Sequence, residues 1–204
     1  MAYKGSGGFR LNPIWALSAV NIALFIASVL NQDILFILGL SPANVLRSPW
    51  SVVTSLFIHA SLWHLIVNMW AFYFFGTYLS RLVGGGRFLI VYFCGGMLGS
   101  LFFVLLASPF SIAVGASGAI FALGGALAVM RPRLKVFVFP IPVPVPLWTA
   151  VIGGFFIISL FSIFLPIAWQ AHLGGLVLGL IAGYFFRRRE HRLYQESIDR
   201  MYRY

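Results

Sequence analysis

Six runs of mostly apolar residues divide this chain, and they constrain its fold more than any other feature. The runs cover approximately residues 13–30, 62–82, 88–106, 117–130, 147–165 and 168–186. A helix needs about 20 largely apolar residues to cross a bilayer core about 30 Å thick. Only 9% of the residues are charged, whereas a typical soluble domain has about 25%. We therefore predict an all-α, polytopic membrane protein built as one bundle of six transmembrane helices.

The basic residues lie at the ends of these runs, so the net charge of +10 reports how the chain crosses the membrane. If the six spans alternate in direction, Arg47 is alone on one side, and the positive-inside rule places both termini in the cytoplasm. We expect a multi-pass protein of the cell membrane, and no nucleic acid partner, because no single basic patch or stripe forms. The residues on the basic side include Lys4, Arg10, Arg81, Arg87, Arg131, Arg133, Lys135, Arg187, Arg188 and Arg189.

The chain divides into a cytoplasmic leader at residues 1–12, the six-span domain at residues 13–187 and a basic cytoplasmic tail at residues 188–204. The first run lacks a clear small-residue cleavage site, which favours a first span over a removable signal peptide. The tail is either a basic helix lying on anionic headgroups or a positive-inside anchor with a frayed end. We favour the frayed anchor.

Two connections stand out by length or composition. The first external loop, residues 31–61, is rich in apolar residues, so we predict that it lies partly in the outer interface with Trp50 as an anchor. The connection after the fourth run has proline at positions 140, 142, 144 and 146. Proline forbids helix and favours an extended path, so this segment is predicted to be a spacer before the fifth span.

Small residues recur at helical spacing on the fourth and sixth runs. They are Gly118, Ala122 and Gly125 on the fourth, and Gly175, Gly179 and Gly183 on the sixth. Such residues let helix backbones approach closely in lipid. We predict that these two helices pack against each other.

Polar side chains inside a bilayer are costly, and those of this chain fall at one depth. His64 and Asn68 open the second run, with His59 just before it, Ser117 opens the fourth, and His172 lies about one turn into the sixth. Because the second, fourth and sixth spans run in the same direction, all lie within about 10 Å of the outer face at 1.5 Å per residue. Three helices therefore deliver polar side chains to one layer.

This layer has the composition of a nucleophilic site. A serine becomes a nucleophile when a neutral imidazole takes its proton, and Ser117 with His172 can form that pair. His64 and Asn68, four residues apart, share a helix face and can donate hydrogen bonds to an oxyanion. Asp33 is the only acidic residue outside the tail and is not placed to orient His172. We predict a Ser-His dyad rather than a triad.

Other hydrolytic centres lack their residues in this sequence. A zinc protease helix needs two histidines four apart with a glutamate, whereas His59 and His64 are five apart with no carboxylate nearby. An aspartyl protease centre needs two aspartates within the membrane, and none of the six apolar runs contains an aspartate. We expect no metal and no cofactor.

Three motifs in order carry a resemblance to the rhomboid family of intramembrane serine proteases. IHASLWHLIVN contains the pattern of His59, His64 and Asn68; GASG at residues 115–118 contains the serine; and AHLGG at residues 171–175 contains the histidine. Each motif lies on the span where the family has it. The chain resembles the minimal six-transmembrane prokaryotic type of this family.

By that resemblance, Ser117 is the nucleophile and His172 the general base, while His64, Asn68 and the Ser117 backbone N–H form the oxyanion hole. The supporting positions are His59, Gly115, Gly118, Phe121 and Gly175. The implied activity is an intramembrane serine endopeptidase that cleaves transmembrane segments of other membrane proteins near the outer face. The implied partners are transmembrane protein substrates and the lipid bilayer, and the oligomeric state stays open.

Three positions depart from the usual pattern of the family. Trp50 is followed by Ser51 where many members have arginine, and Ser80 and Arg81 stand where many have a glutamate. Phe121 replaces a tyrosine common in bacterial members, so the ring can stack on His172 without donating a hydrogen bond.

Two other functions fit parts of the sequence. A non-proteolytic rhomboid-like factor binds membrane proteins without cutting them, and such relatives typically lack the serine or the histidine that this chain has. A small transporter or channel also places polar residues in the membrane, but this sequence has no ionisable relay across the inner half and no inverted repeat.

Overall fold

The computed structural model describes residues 12–138 and 142–201, and within them the chain is mostly helical. The helices are α1 (Pro13–Leu30), α2 (Asp33–Leu38), α3 (Ser51–Thr54), α4 (Leu62–Val83), α5 (Gly85–Leu106), α6 (Ser117–Met130), α7 (Leu147–Phe161) and α8 (Trp169–Met201). A 3-10 turn covers Ser55–Phe57, and the strands are β1 (Lys135–Val136) and β2 (Val145–Pro146). The predicted all-α fold class is confirmed. The predicted leader lies outside the described residues apart from Asn12, whose side chain caps α1.

Each of the six apolar runs forms a helix, but their lengths differ. In the described part of the chain, α1, α5 and α8 are long and apolar enough to cross a membrane. The segment Ser51–Phe57 and α4 make a pair bent by 93°, which is a broken span or a re-entrant loop. Helices α6 and α7 have 14 and 15 residues, about 21 to 23 Å at 1.5 Å per residue. The count of six spans therefore stays a prediction.

Helix α6 lies at the centre of the bundle, and glycines of α8 lie directly on it. A Cβ on Gly175 would collide with the carbonyl oxygen of Gly118, and a Cβ on Gly179 with that of Ala122. The predicted packing of the fourth and sixth runs through small residues is confirmed. Most of α6 is buried by protein.

The first loop enters the bundle as well as lying at its surface. Trp50 is half exposed, and its indole N–H donates to the carbonyl of Ile37 at 3.0 Å. After it, Leu56 is buried against Gly96 of α5, where a Cβ on the glycine would be 2.8 Å from Leu56 Cδ1. The sequence predicted the surface half of this loop and missed the buried half.

The connection after α6 is paired rather than a free spacer. Val136 of β1 pairs with Val145 of β2 in antiparallel register, and the Leu147 N–H donates to the Leu134 carbonyl at 2.7 Å. The described residues 131–138 and 142–146 contain no helix, as predicted. Residues 139–141, which include the first of the four prolines, lie outside the described part.

The tail continues α8 without a break across the predicted boundary at residue 187. The helix extends to Met201, so the favoured prediction of a frayed end was wrong for the tail residues that the structure describes. Residues 202–204 lie outside them. An ion pair between Arg131 and Glu190, with a 2.8 Å hydrogen bond from Nη1 to Oε2, ties this extension to the end of α6.

Candidate active site

Ser117 is the first residue of α6, and the backbone before it is bent by glycine. Gly115 has φ of 119°, a conformation that glycine adopts without the cost other residues incur. Its N–H donates to the carbonyl of Ser55 at 2.9 Å, which fixes the bend to the buried end of the first loop. A Cβ at Gly115 would be 2.8 Å from Cε1 and Nε2 of His64. The bend therefore brings the start of α6 against the His64 ring.

The hydroxyl of Ser117 and the imidazole of His172 form a hydrogen bond. Ser117 Oγ and His172 Nε2 are 2.7 Å apart, although 55 residues separate them in the chain. His172 lies in the first turn of α8 and is buried, with 6% of its surface exposed. The close packing of α6 on α8 is what brings the two side chains together.

The other ring nitrogen of His172 has no acidic partner in the described residues. Its Nδ1 is buried and makes no hydrogen bond within that part of the chain. The face of the ring lies on Phe121, one turn after Ser117, with centroids 4.8 Å apart and planes tilted by 33°. The expected stacking of Phe121 on His172 is present.

Asn68 and His64 lie one turn apart on α4, facing the same region. The amide nitrogen of Asn68 donates to the His64 carbonyl at 2.8 Å, while its buried Oδ1 has no partner among the described residues. His59 is buried and contacts His64 edge-on, with centroids 5.0 Å apart. His59 therefore packs behind His64, and His64 lies between it and Gly115.

Three further features of the site were not predicted from the sequence. Ser55 and Ser100 line a cavity of about 20 Å³ next to Ser117, and Ser100 Oγ donates to the Val52 carbonyl at 2.8 Å. Phe155 of α7 packs edge-on against Phe121, with centroids 6.0 Å apart. The serines around residues 51–55 in an otherwise apolar loop were the available signal, because polar side chains in such a loop need internal partners.

The chain is mostly helical, and α1, α5 and α8 are long and apolar enough to cross a membrane. These features define its class, which is that of helical membrane proteins. The chain belongs to the rhomboid family, because the model of the Rhomboid domain matches residues 46–189. The match includes all three motifs that carry the resemblance, which is thereby confirmed.

Among the similar proteins, some are named as proteases and one is named as inactive. The chain is 28% identical over 199 residues to "Rhomboid protein 1, mitochondrial" of Saccharomyces cerevisiae, covering 89% of this chain and 57% of that protein. It is 35% identical over 135 residues to "Rhomboid protease GluP" of Bacillus subtilis, covering 65% and 25%. It is 39% identical over 79 residues to "Inactive RHOMBOID-like protein 8" of Arabidopsis thaliana, covering 38% and 22%. This chain thus spans little more than half, or less, of the length of these relatives.

Proposed function

We propose that this chain is an intramembrane serine endopeptidase that cleaves transmembrane segments of other membrane proteins near the outer face of the cell membrane. The observation that carries the proposal is the 2.7 Å hydrogen bond between Ser117 Oγ and His172 Nε2. Membership of a family whose named members include proteases supports the same activity.

The reaction proceeds through an acyl-enzyme. Ser117 Oγ attacks the carbonyl carbon of the substrate peptide while His172 Nε2 accepts the hydroxyl proton. The tetrahedral intermediate then expels the amine, which receives that proton from His172. A water molecule, deprotonated by His172, attacks the acyl carbon, and the proton returns to Ser117 as the carboxylate product leaves.

The oxyanion of the intermediate is stabilised by donors from two helices. His64 and Asn68 of α4 contribute side-chain N–H groups, and Ser117 contributes its backbone N–H. The N-terminus of α6 adds unsatisfied backbone N–H groups and the positive end of its dipole. Loss of one such donor typically costs about 10²–10³ in kcat.

The dyad has no aspartate to orient His172, and this lowers the expected turnover. In serine proteases that have a triad, loss of a correctly oriented aspartate lowers turnover about 10⁴-fold. Here Phe121 holds the His172 ring by contact with its face. We therefore expect turnover far below that of soluble triad proteases.

The direction of insertion follows from charge. Ser117 and His172 lie at the N-terminal ends of α6 and α8, whereas Arg131 follows the last residue of α6 and Arg187 follows the apolar part of α8. With the basic side in the cytoplasm, both termini are cytoplasmic and the dyad opens to the extracytoplasmic side. Transmembrane substrates reach it through the bilayer, and their helices must unwind to expose the scissile backbone.

The proposal is tested by cleavage of a reconstituted single-span substrate. Wild-type protein should give two fragments, and both Ser117→Ala and His172→Ala should give none. Ser111→Ala is the matched control, since the Ser111 hydroxyl only donates to the Ser108 carbonyl in the loop before α6. Cleavage that survives in Ser117→Ala would remove the basis of the assignment.

The second candidate is a non-proteolytic rhomboid-like factor that binds membrane proteins, and the relative named as inactive favours it. Under this function, the wild-type protein binds the single-span substrate and leaves it intact. Co-purification of uncut substrate with wild-type protein, without fragments, would support this candidate over the protease.

A further inference from the structure

A second cleft lies at the opposite end of α6 from Ser117. It has a volume of about 660 Å³ and is lined by the end of α4, the end of α6 with the turn after it, and the middle of α8. Its lining residues are Tyr78, Met130, Arg131, Pro132, Arg133, Leu134 and Arg187. Because α6 has 14 residues, the cleft is about 20 Å along the helix from the dyad, so it is separate from the candidate active site.

The three arginines that line this cleft are not equally paired with acidic side chains. Glu190 pairs with Arg131 through both of its oxygens, so the charge of that guanidinium is neutralised locally. Arg187 is exposed and donates to the Val129 carbonyl at 3.3 Å, and it also interacts electrostatically with Glu190, whose two oxygens are already bonded to Arg131. Arg133 is exposed and has no hydrogen-bond or ion-pair partner in the described part of the chain. Arg133 and Arg187 therefore present two positive charges to an incoming anion.

The walls of the cleft continue into apolar surface. Phe74 lies one turn before Tyr78 on α4, and Tyr184 lies three residues before Arg187 on α8, so each shares a helix face with its partner. Both aromatic side chains are exposed, at 44% and 56% of their surface. A ligand with a charged head and apolar chains matches this combination, whereas a soluble anion uses only the arginines.

We propose that this cleft binds the headgroup of an anionic phospholipid, with Arg133 and Arg187 at the phosphate and the acyl chains beside Phe74 and Tyr184. Guanidinium groups pair well with phosphate oxygens, and basic pockets between helices on the cytoplasmic side are typical lipid sites. A lipid bound there bridges the end of α6 and the extension of α8.

The test measures thermal unfolding of the full chain in neutral detergent as phosphatidylglycerol or phosphatidylcholine is added. A ligand that binds only the folded protein raises Tm with concentration. Phosphatidylglycerol should raise Tm and phosphatidylcholine should not. Arg133→Gln with Arg187→Gln should weaken the apparent affinity about 25-fold, or about fivefold for each arginine.

The matched control is Arg189→Gln with Arg192→Gln, which removes the same charge from exposed α8 positions outside the cleft. Its affinity should fall far less than that of the cleft variant, because neither side chain lines the cleft. Arg133→Gln alone breaks no hydrogen bond or ion pair among the described residues and should weaken binding about fivefold, which keeps the test valid if the double variant misfolds. Equal losses in both double variants, no loss in the cleft variants, or an equal Tm shift with inorganic phosphate would overturn the proposal.

Discussion

The ring of Phe121 lies against the imidazole of His172, with their centroids 4.8 Å apart. Phe121 is one helical turn after Ser117 on α6, so the same helix supplies both the hydroxyl at one ring nitrogen and the surface under the ring. Phe155 of α7 packs edge-on against Phe121. We therefore expect the orientation of His172 to depend on its contact with Phe121 rather than on a carboxylate.

Substitution of Phe121 by alanine should lower kcat about two- to tenfold, the range that corresponds to one aromatic pair. KM should not change, because Phe121 is a positioning residue that acts through His172. Phe121→Tyr keeps the ring and should retain the wild-type kcat. Steady-state kinetics on a reconstituted substrate measure both constants, and a change in KM alone would show that the ring contacts substrate instead.

Phe155 and its neighbour Phe156 should differ in their effect on substrate entry. Phe155 is buried against Phe121, whereas Phe156 is 65% exposed to the surroundings. Phe155→Ala should loosen α7, which has few buried residues, and raise the cleavage rate of a transmembrane substrate. Phe156→Ala is the control and should leave the rate unchanged. Unchanged rates in both variants would show that these side chains of α7 do not control substrate entry.

Gly175 should not tolerate a methyl group. A Cβ there collides with the Gly118 carbonyl, and overpacking of this kind costs about 1–3 kcal/mol. Gly175→Ala should therefore lower Tm and weaken cleavage, because α8 moves away from α6 and takes His172 with it. Gly153→Ala on α7 is the control: no atom lies within 4 Å of its Cβ, so Tm should stay equal or rise. A stable, active Gly175→Ala would contradict the packing account.

Alanine substitutions at Gly115 and Gly84 distinguish the effect of backbone strain from the effect of a new contact with the candidate site. Both have positive φ, 119° and 88°, and alanine at either should cost about 1–3 kcal/mol. Only at Gly115 does the new methyl meet His64, at 2.8 Å, while nothing lies within 4 Å at Gly84. Gly115→Ala should therefore lose about 10²-fold in kcat, and Gly84→Ala should lose stability alone. Equal kcat in the two variants would refute the role of His64.

Much of the fold was predictable because helices in lipid follow apolar runs. The bounds of α1 and α6 matched the predicted runs, and the close approach of α6 and α8 followed from Gly175, Gly179 and their partners. The entry of Leu56 into the bundle was not predictable, because 3-10 turns and four-residue helices have no periodic pattern. The pairing of β1 with β2 was missed because it depends on contacts across a proline-rich turn.

The part of the candidate site that depends on helix direction was predictable from the sequence. Ser117 and His172 were expected together because their helices run in the same direction and start at one depth, and their side chains are 2.7 Å apart. The role of the Ser55 carbonyl in holding Gly115 was not predictable, because a backbone acceptor leaves no signal in residue type. The roles of His64 and Asn68 stay predictions until variants are measured.

Covalent labelling by a fluorophosphonate shows whether Ser117 is a nucleophile, because this probe reacts with a serine whose hydroxyl is activated by a base. Peptide mass spectrometry of the labelled full chain should locate the adduct on Ser117. His172→Ala should abolish the adduct, whereas His191→Ala, which alters an exposed histidine of the tail, should retain it. An adduct elsewhere, or full labelling of Ser117 without His172, would contradict the account.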